Sequence, residues 1–161
     1  MMTTEADAAA FSDQSLSGAF RIDRDGVWHH EGVEVTHPGV LRNLYANLRA
    51  DGEAHYLQVG PRRVPVQIDD APFVVVRAEV EPSAAVATLH LSDGSQEPLE
   101  TGTLVLDARG VPYCRVKAGQ FRARFSIAAW LQLADRVEDD SGSAEPVLVL
   151  GARRFPLRRA E

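Results

Sequence analysis

Three landmarks recur along this chain in the same order. DRDGV at 23–27 returns as DARGV at 107–111, and VGPRRVPV at 59–66 returns as LGARRFPL at 150–157. Between the two landmarks of each copy lies an amphipathic stretch that follows a hydroxyl residue, Thr36 in the first copy and Ser126 in the second. Matched features in one order point to a duplicated unit built of strands, one helix and a closing hairpin. Such a repeat restricts the fold severely, because two divergent sets of side chains must satisfy one backbone plan.

A chain of 161 residues can bury roughly 70% of its unfolded surface, enough for one core or two small ones. The longest apolar run is near 73–76, far short of a membrane span, so no membrane partner is expected. The opening MMTTEADAAAF has neither a basic start nor a long apolar segment, which speaks against a secretory signal. Cys114 is the only cysteine, so no internal disulfide can form, and a cytoplasmic location is expected. A net charge of −6 argues against general nucleic-acid binding. Lys117 is the only lysine; arginine supplies the other basic residues, planar forks suited to phosphate or carboxylate.

Residues 1–17 are small, polar and aperiodic and are expected to be a disordered tail. AFRI-DRDG-VWHH reads as a hairpin with Asp25-Gly26 at its turn, and 33–35 as a further strand. Thr36 is the expected N-cap of a first helix with Pro38 in its first turn. Its apolar stripe is Val40, Leu41, Leu44, Tyr45 and Leu48, and Asp51-Gly52 is the expected end. A second hairpin turns at Gly60-Pro61. After the break at 69–73 come strands FVVVRAEV and VATLHL and a turn at 92–95.

The second copy opens with the hairpin LVLD-ARG-VPYCRV, and QFRARF is a strand with Arg122 and Arg124 on one face. Ser126 caps a helix with the stripe Ile127, Trp130, Leu131, Ala134 and Val137. EDDSGS at 138–143 is an exposed loop before the closing hairpin. The expected fold class is α+β with antiparallel sheet. The organisation is a first repeat subdomain at 18–82 and a second at 83–161, with strands in 73–100 bridging the two.

Several segments together resemble the bacterial domain-of-unknown-function family DUF 1285: FRIDRDGVWHHEG, VLRNLYANL, HYLQV, IDDAPF and VPYCRVKAGQFRAR. The resemblance covers most of the chain between the tail and the last loop. It implies a duplicated core whose C-terminal half is loosely pleckstrin-homology-like, no established activity, and a nucleotide-like ligand in the inter-domain cleft with a role in signalling. The segments Gly60 to Val64 and Thr36-His37 depart from the family pattern.

The remaining constellations carry no catalytic signature. Walker, G-x-S-x-G and G-x-G-x-x-G patterns are absent, and His29, His30 and His37 lack a completing carboxylate or cysteine at ligand spacing. No catalytic residue, metal or cofactor is therefore assigned. Asp69 and Asp70 are adjacent on extended chain and point to opposite sides, which suits turn chemistry or an arginine partner better than a paired acid and base. Arg115, Arg122 and Arg124 fall on neighbouring strands. Trp28 and Tyr113 follow the repeated turn at nearly equivalent places.

The expectation is a non-catalytic module binding a nucleotide-like anion where the repeats meet. Trp28, Asp69, Asp70 and Phe73 would come from one side, and Tyr113, Arg115, Arg122 and Arg124 from the other. A protein-interaction adaptor that offers an open sheet edge to a protein partner is the alternative, and a phosphoester-processing enzyme the third.

Overall fold

The computed structural model describes residues 19–81, 83–139, 142 and 145–160. These fall into two units, one ending at Ala71 and the next beginning at Pro72. The division precedes the strand Phe73–Glu81, which therefore belongs with the second unit. The expected tail at 1–17 lies outside the described residues.

The first unit contains β1 (Phe20–Ile22), β2 (Trp28–His30), β3 (Val33–Glu34), α1 (Pro38–Asn47), β4 (Leu48–Asp51), β5 (Ala54–Val59) and β6 (Arg62–Ile68). They form one six-stranded sheet in the order β3-β2-β1-β6-β5-β4. The hairpin β1–β2 forms because Asp23 organises its turn. One oxygen of its carboxylate accepts from the amides of Asp25 at 2.9 Å and Val27 at 3.0 Å. Gly26 takes φ 82°, a region that costs glycine nothing. The register then sorts the side chains. Ile22 lies opposite Trp28 and Ile68, Phe20 opposite His30 and Val66, and Leu57 opposite Leu48 and Val64. These rows share one face, on which Trp28, Ile22, Leu57 and the helical Leu44 are each no more than 1% exposed.

Helix α1 differs from its sequence reading at both ends. His37, not Thr36, is the N-cap: its Nδ1 accepts from Gly39 N at 3.0 Å and Val40 N at 3.3 Å. With Pro38 at the first helical position, the residue before it must be extended (His37 has ψ 122°), so the cap falls there. At the other end Leu48 leaves helical geometry at ψ 133° and starts β4. Asp51-Gly52 therefore turns the β4–β5 hairpin instead of ending the helix.

The second unit contains β7 (Phe73–Glu81), β8 (Val86–Leu91), β9 (Gln96–Pro98), a single 3-10 turn (Thr101–Thr103), β10 (Val105–Leu106), β11 (Pro112–Val116), β12 (Phe121–Phe125), α2 (Ile127–Ala134), β13 (Val137–Asp139), β14 (Pro146–Leu150), β15 (Arg153–Pro156) and β16 (Arg158–Arg159). A seven-stranded sheet runs β16-β10-β11-β12-β7-β8-β9, and β13-β14-β15 form a smaller one. Asp107 repeats the turn chemistry of Asp23, accepting from Arg109 N and Val111 N at 2.8 Å each, with Gly110 at φ 83°. The chain is thus α+β, but its sheets are not wholly antiparallel. β1–β6, β10–β16 and β12–β7 are parallel pairs.

Part of the second unit parallels the strand order of the first, while β7, β8 and β9 have no counterpart there. In the first, β3-β2-β1 continues into β6-β5-β4. In the second, β12-β11-β10 continues into β16, which follows β15 after a break at Leu157, and β15 pairs on into β14 and β13. The helix stands between the third and fourth strands in both. The segment expected as a loop at 138–143 begins inside β13; residues 140, 141 and 143 lie outside the described set.

Ser126 caps α2 as expected, its Oγ accepting from Ala129 N at 3.1 Å. The buried stripe is not the expected one. Ala129 and Leu133 are 0% exposed, and Trp130 packs edge-on to Phe125 with centroids 5.9 Å apart. Ile127 and Leu131 are instead 82% and 62% exposed, and Val137 is in β13. IAAWLQLA is apolar nearly all round and holds no charge, so its periodicity has little contrast to show which side faces inward. Replacing Leu133 by Ala is expected to cost about 2–5 kcal/mol in urea denaturation. The same change at Leu131 should stay within about 0.5 kcal/mol, and equal costs would contradict the helix orientation described.

Candidate anion-binding face

Strands β11 and β12 set the geometry of the candidate site. Tyr113 lies opposite Arg124, and Arg115 opposite Arg122. Directly paired residues project to the same side, so all four share one face. The intervening residues Cys114, Val116, Phe121, Ala123 and Phe125 are buried on the other. The three arginines expected to cluster are therefore brought together, with Tyr113 among them. Arg122 stacks on Tyr113, its Cζ 3.7 Å from the ring centroid. Arg115 is exposed, while Arg122 and Arg124 are half-buried. Across β10, Val105 pairs with Tyr113 on one side and with Arg158 on the other. This extends the basic face to Arg158, a residue that sequence reasoning missed. Its signal was present as the second half of RRFPLRR, but only the β10–β16 pairing carries it to this face.

Phe73 is not on this face. β7 pairs with β12 so that Phe73 lies opposite Ala123 and Val74 opposite Arg124. Phe73 is 2% exposed and packs on Phe121 with centroids 5.1 Å apart. Trp28 and Tyr113 are also one step out of equivalence. Trp28 pairs with Ile22, the residue before the first Asp turn; the counterpart pair in the second unit is Pro112 with Leu106. Tyr113 stands one residue later and so points to the opposite side. Trp28 is a core side chain, 1% exposed and edge-on to Tyr45 at 5.4 Å.

Asp69 is engaged within the first unit. It accepts from Arg21 Nη1 at 2.6 Å and from Gln67 Nε2 at 3.2 Å. Asp70, half-buried, is also in the first unit. His29 and His30 point opposite ways, as expected of neighbours on a strand. His29 Nε2 lies 2.8 Å from Asp23 Oδ2, and His30 stacks on Phe20 at 4.4 Å.

Two other charged features bear on the face. Asp107 is held below the usual carboxylate range, first by the Val111 amide and then by the Arg109 amide, which outweigh its slight desolvation; the charges of Arg109 and Arg122 add to this. An anion at Arg122 would therefore meet a nearby carboxylate as well. On the buried side, desolvation and then the charge of Glu97 push the Cys114 thiol up to about 12, so it is a packing residue and no nucleophile at neutral pH.

Two solved structures share this fold. A DUF1285 family protein from Silicibacter pomeroyi DSS-3 is 28% identical with a TM-score of 0.72; the match covers 86% of this chain and 79% of that one. The chain is thus similar to a DUF1285 protein in fold as well as in the segments quoted above. A second DUF1285 protein, from Shewanella baltica OS155, has the same fold at 17% identity and TM-score 0.63, over 75% of this chain and 94% of that one. No protein-family model matches the chain, and no curated protein matches it.

In this chain the face rests on a turn latched by the only lysine. Lys117 Nζ meets Asp93 Oδ2 at 2.8 Å and Ser95 Oγ at 2.7 Å, while its amide donates to the Glu97 carboxylate at 3.1 and 3.2 Å. Burial alone would raise the Asp93 carboxyl, but hydrogen bonds from Lys117 and Ser95 outweigh it and leave it below its ordinary 3.8. A carboxyl lowered on folding stabilises the protein above its unfolded pKa, and that contribution fades as pH falls through the folded value. Asp93→Asn should therefore melt below the parent protein at pH 7, with the gap closing as pH drops below 3.8. A gap that stays constant down to pH 2 on thermal denaturation would disprove the latch.

Proposed function

We propose that this protein is a non-catalytic binding module for a nucleotide-like anion, engaged by the β11–β12 face. The observation that carries the reading is the cross-strand register, in which Arg115, Arg122 and Arg124 surround Tyr113. Guanidinium forks bind phosphate through two parallel hydrogen bonds, and several forks on neighbouring strands suit a ligand with more than one anionic oxygen. In a protein of net charge −6, a local group of this kind supplies a positive site that the overall charge does not. We infer also that the two units descend from one duplicated ancestor, the second having drifted towards a pleckstrin-homology-like sheet. The shared part of the strand order and the paired Asp turns support this.

The adaptor reading has less in its favour. Strand addition needs a long open edge. The edge strands of the three sheets, β3, β4, β16, β9, β13 and β15, hold two to four residues each, and β9 and β15 carry a proline.

Calorimetric titration with ATP, GTP and cyclic dinucleotides tests the proposal. At least one is expected to bind in the micromolar to millimolar range, with Arg115→Ala and Arg122→Ala each weakening it about tenfold. Absence of heat and of any melting shift at millimolar nucleotide would refute the reading.

A further inference from the structure

The C-terminal segment RRFPLRR places Arg153, Arg154, Arg158 and Arg159 within seven residues. Only one of the four has an ion-pair partner among the described residues: Arg154, with Glu138 at 3.2 Å. Arg153 lies over the Phe155 ring at 5.3 Å. Beside this strip, a cavity of about 90 Å³ is lined by Thr101, Gly102, Leu104, Phe155, Pro156 and Arg158. Its floor is fixed. Leu104 is 1% exposed, and the 3-10 turn is held by Arg115 N donating to Thr103 Oγ1 at 3.0 Å. The Arg158 guanidinium and the Thr101 hydroxyl form no hydrogen bond with any described residue, so both keep their donors for a guest. Glu100 precedes the turn but does not line the cavity.

We propose that this cavity, which shares Arg158 with the edge of the basic face but none of Arg115, Arg122 and Arg124, binds a short-chain aliphatic carboxylate. The carboxylate sits on the Arg158 fork and the Thr101 hydroxyl, and the alkyl tail lies among Leu104, Phe155 and Pro156. Size and polarity select this class. The pocket opens to solvent and offers about 90 Å³, less than the roughly 150 Å³ of a closed cavity that holds benzene, so it could not enclose an aromatic base but can take a short alkyl chain. A bare phosphate would satisfy Arg158 but leave the apolar walls wet.

The test is a titration of the full chain with sodium butyrate, followed by amide shifts in two-dimensional NMR at constant ionic strength. Inorganic phosphate forms the comparison arm. Saturable shifts at Thr101, Gly102, Leu104 and Phe155 are expected with butyrate at millimolar concentration, and weaker ones with phosphate. Arg158→Gln should weaken butyrate about tenfold. Thr101→Val removes the hydroxyl and keeps the side-chain shape, so it should also weaken butyrate; that hydroxyl holds no described residue, so the variant is expected to fold. Unsaturable butyrate shifts, equal binding of phosphate at these residues, or butyrate affinity unchanged by both Arg158→Gln and Thr101→Val would each overturn the proposal.

Discussion

The turn between β11 and β12 controls what the second unit buries and what it displays. Lys117, Ala118 and Gly119 take φ values of 56°, 57° and 81°, and Gln120 N closes the turn on Lys117 O at 3.2 Å. Two non-glycine residues in the left-handed region cost roughly 1–2 kcal/mol each. Lys117 offsets this by gripping the β8–β9 turn and Glu97 with both its ammonium and its amide. The turn in turn fixes the pairing of Val116 with Phe121, and every pair beyond it follows. A slip of one residue would drive Arg122 and Arg124 into the core and put Ala123 and Phe125 in water. Desolvating unpaired guanidinium groups costs several kcal/mol each, so the register that gathers the basic face is the one that keeps the fold.

What was legible in the sequence had a local cause. The two Asp turns, the Ser126 cap and most hairpins depend on a few adjacent residues and follow from residue chemistry; an exception is the β4–β5 hairpin, whose Asp51-Gly52 turn reads as a helix end. Arg122 and Arg124 were placed on one face by simple alternation, and Arg115 joined them through a short hairpin. What was not legible depends on contacts far apart in sequence. Phe73 faces away from the arginines only because β7 pairs in parallel with β12, some fifty positions later, and Arg158 reaches the face only through β10. The His37 cap was a different kind of miss. Thr36 has the better capping side chain, but Pro38 fixes the residue before it as the last extended one. A ring nitrogen then accepts two amides, which requires the tautomer with its proton on Nε2.

The two units share part of a strand order yet complete their cores differently. The residue after the first Asp turn is Trp28, a large side chain filling the sheet face beneath α1. Its counterpart is Pro112, also buried but much smaller and without a backbone donor. The helices diverge as well. α1 offers a charged and polar outer surface, whereas α2 carries no charge and leaves Ile127 and Leu131 in water. Each unit has an aromatic residue after its Asp turn, but Tyr113 stands one position later than Trp28 and lies, still only 4% exposed, under the arginine side of its sheet.

The arginines of the second unit fall into two physical classes. Arg77, Arg122 and Arg154 have a carboxylate or a ring against them, so part of their charge is already balanced by Glu79, Tyr113 or Glu138. Arg115 and Arg158 have neither among the described residues and lie exposed on the same sheet face. Surface ion pairs of the first class contribute little to stability, typically under about 1 kcal/mol. The second class contributes nothing by pairing, and its members gain most from an incoming anion because no existing partner must be displaced. Under the proposed anion-binding role, the unpaired Arg115 and Arg158 would therefore contribute more to affinity than the arginines that already have a partner.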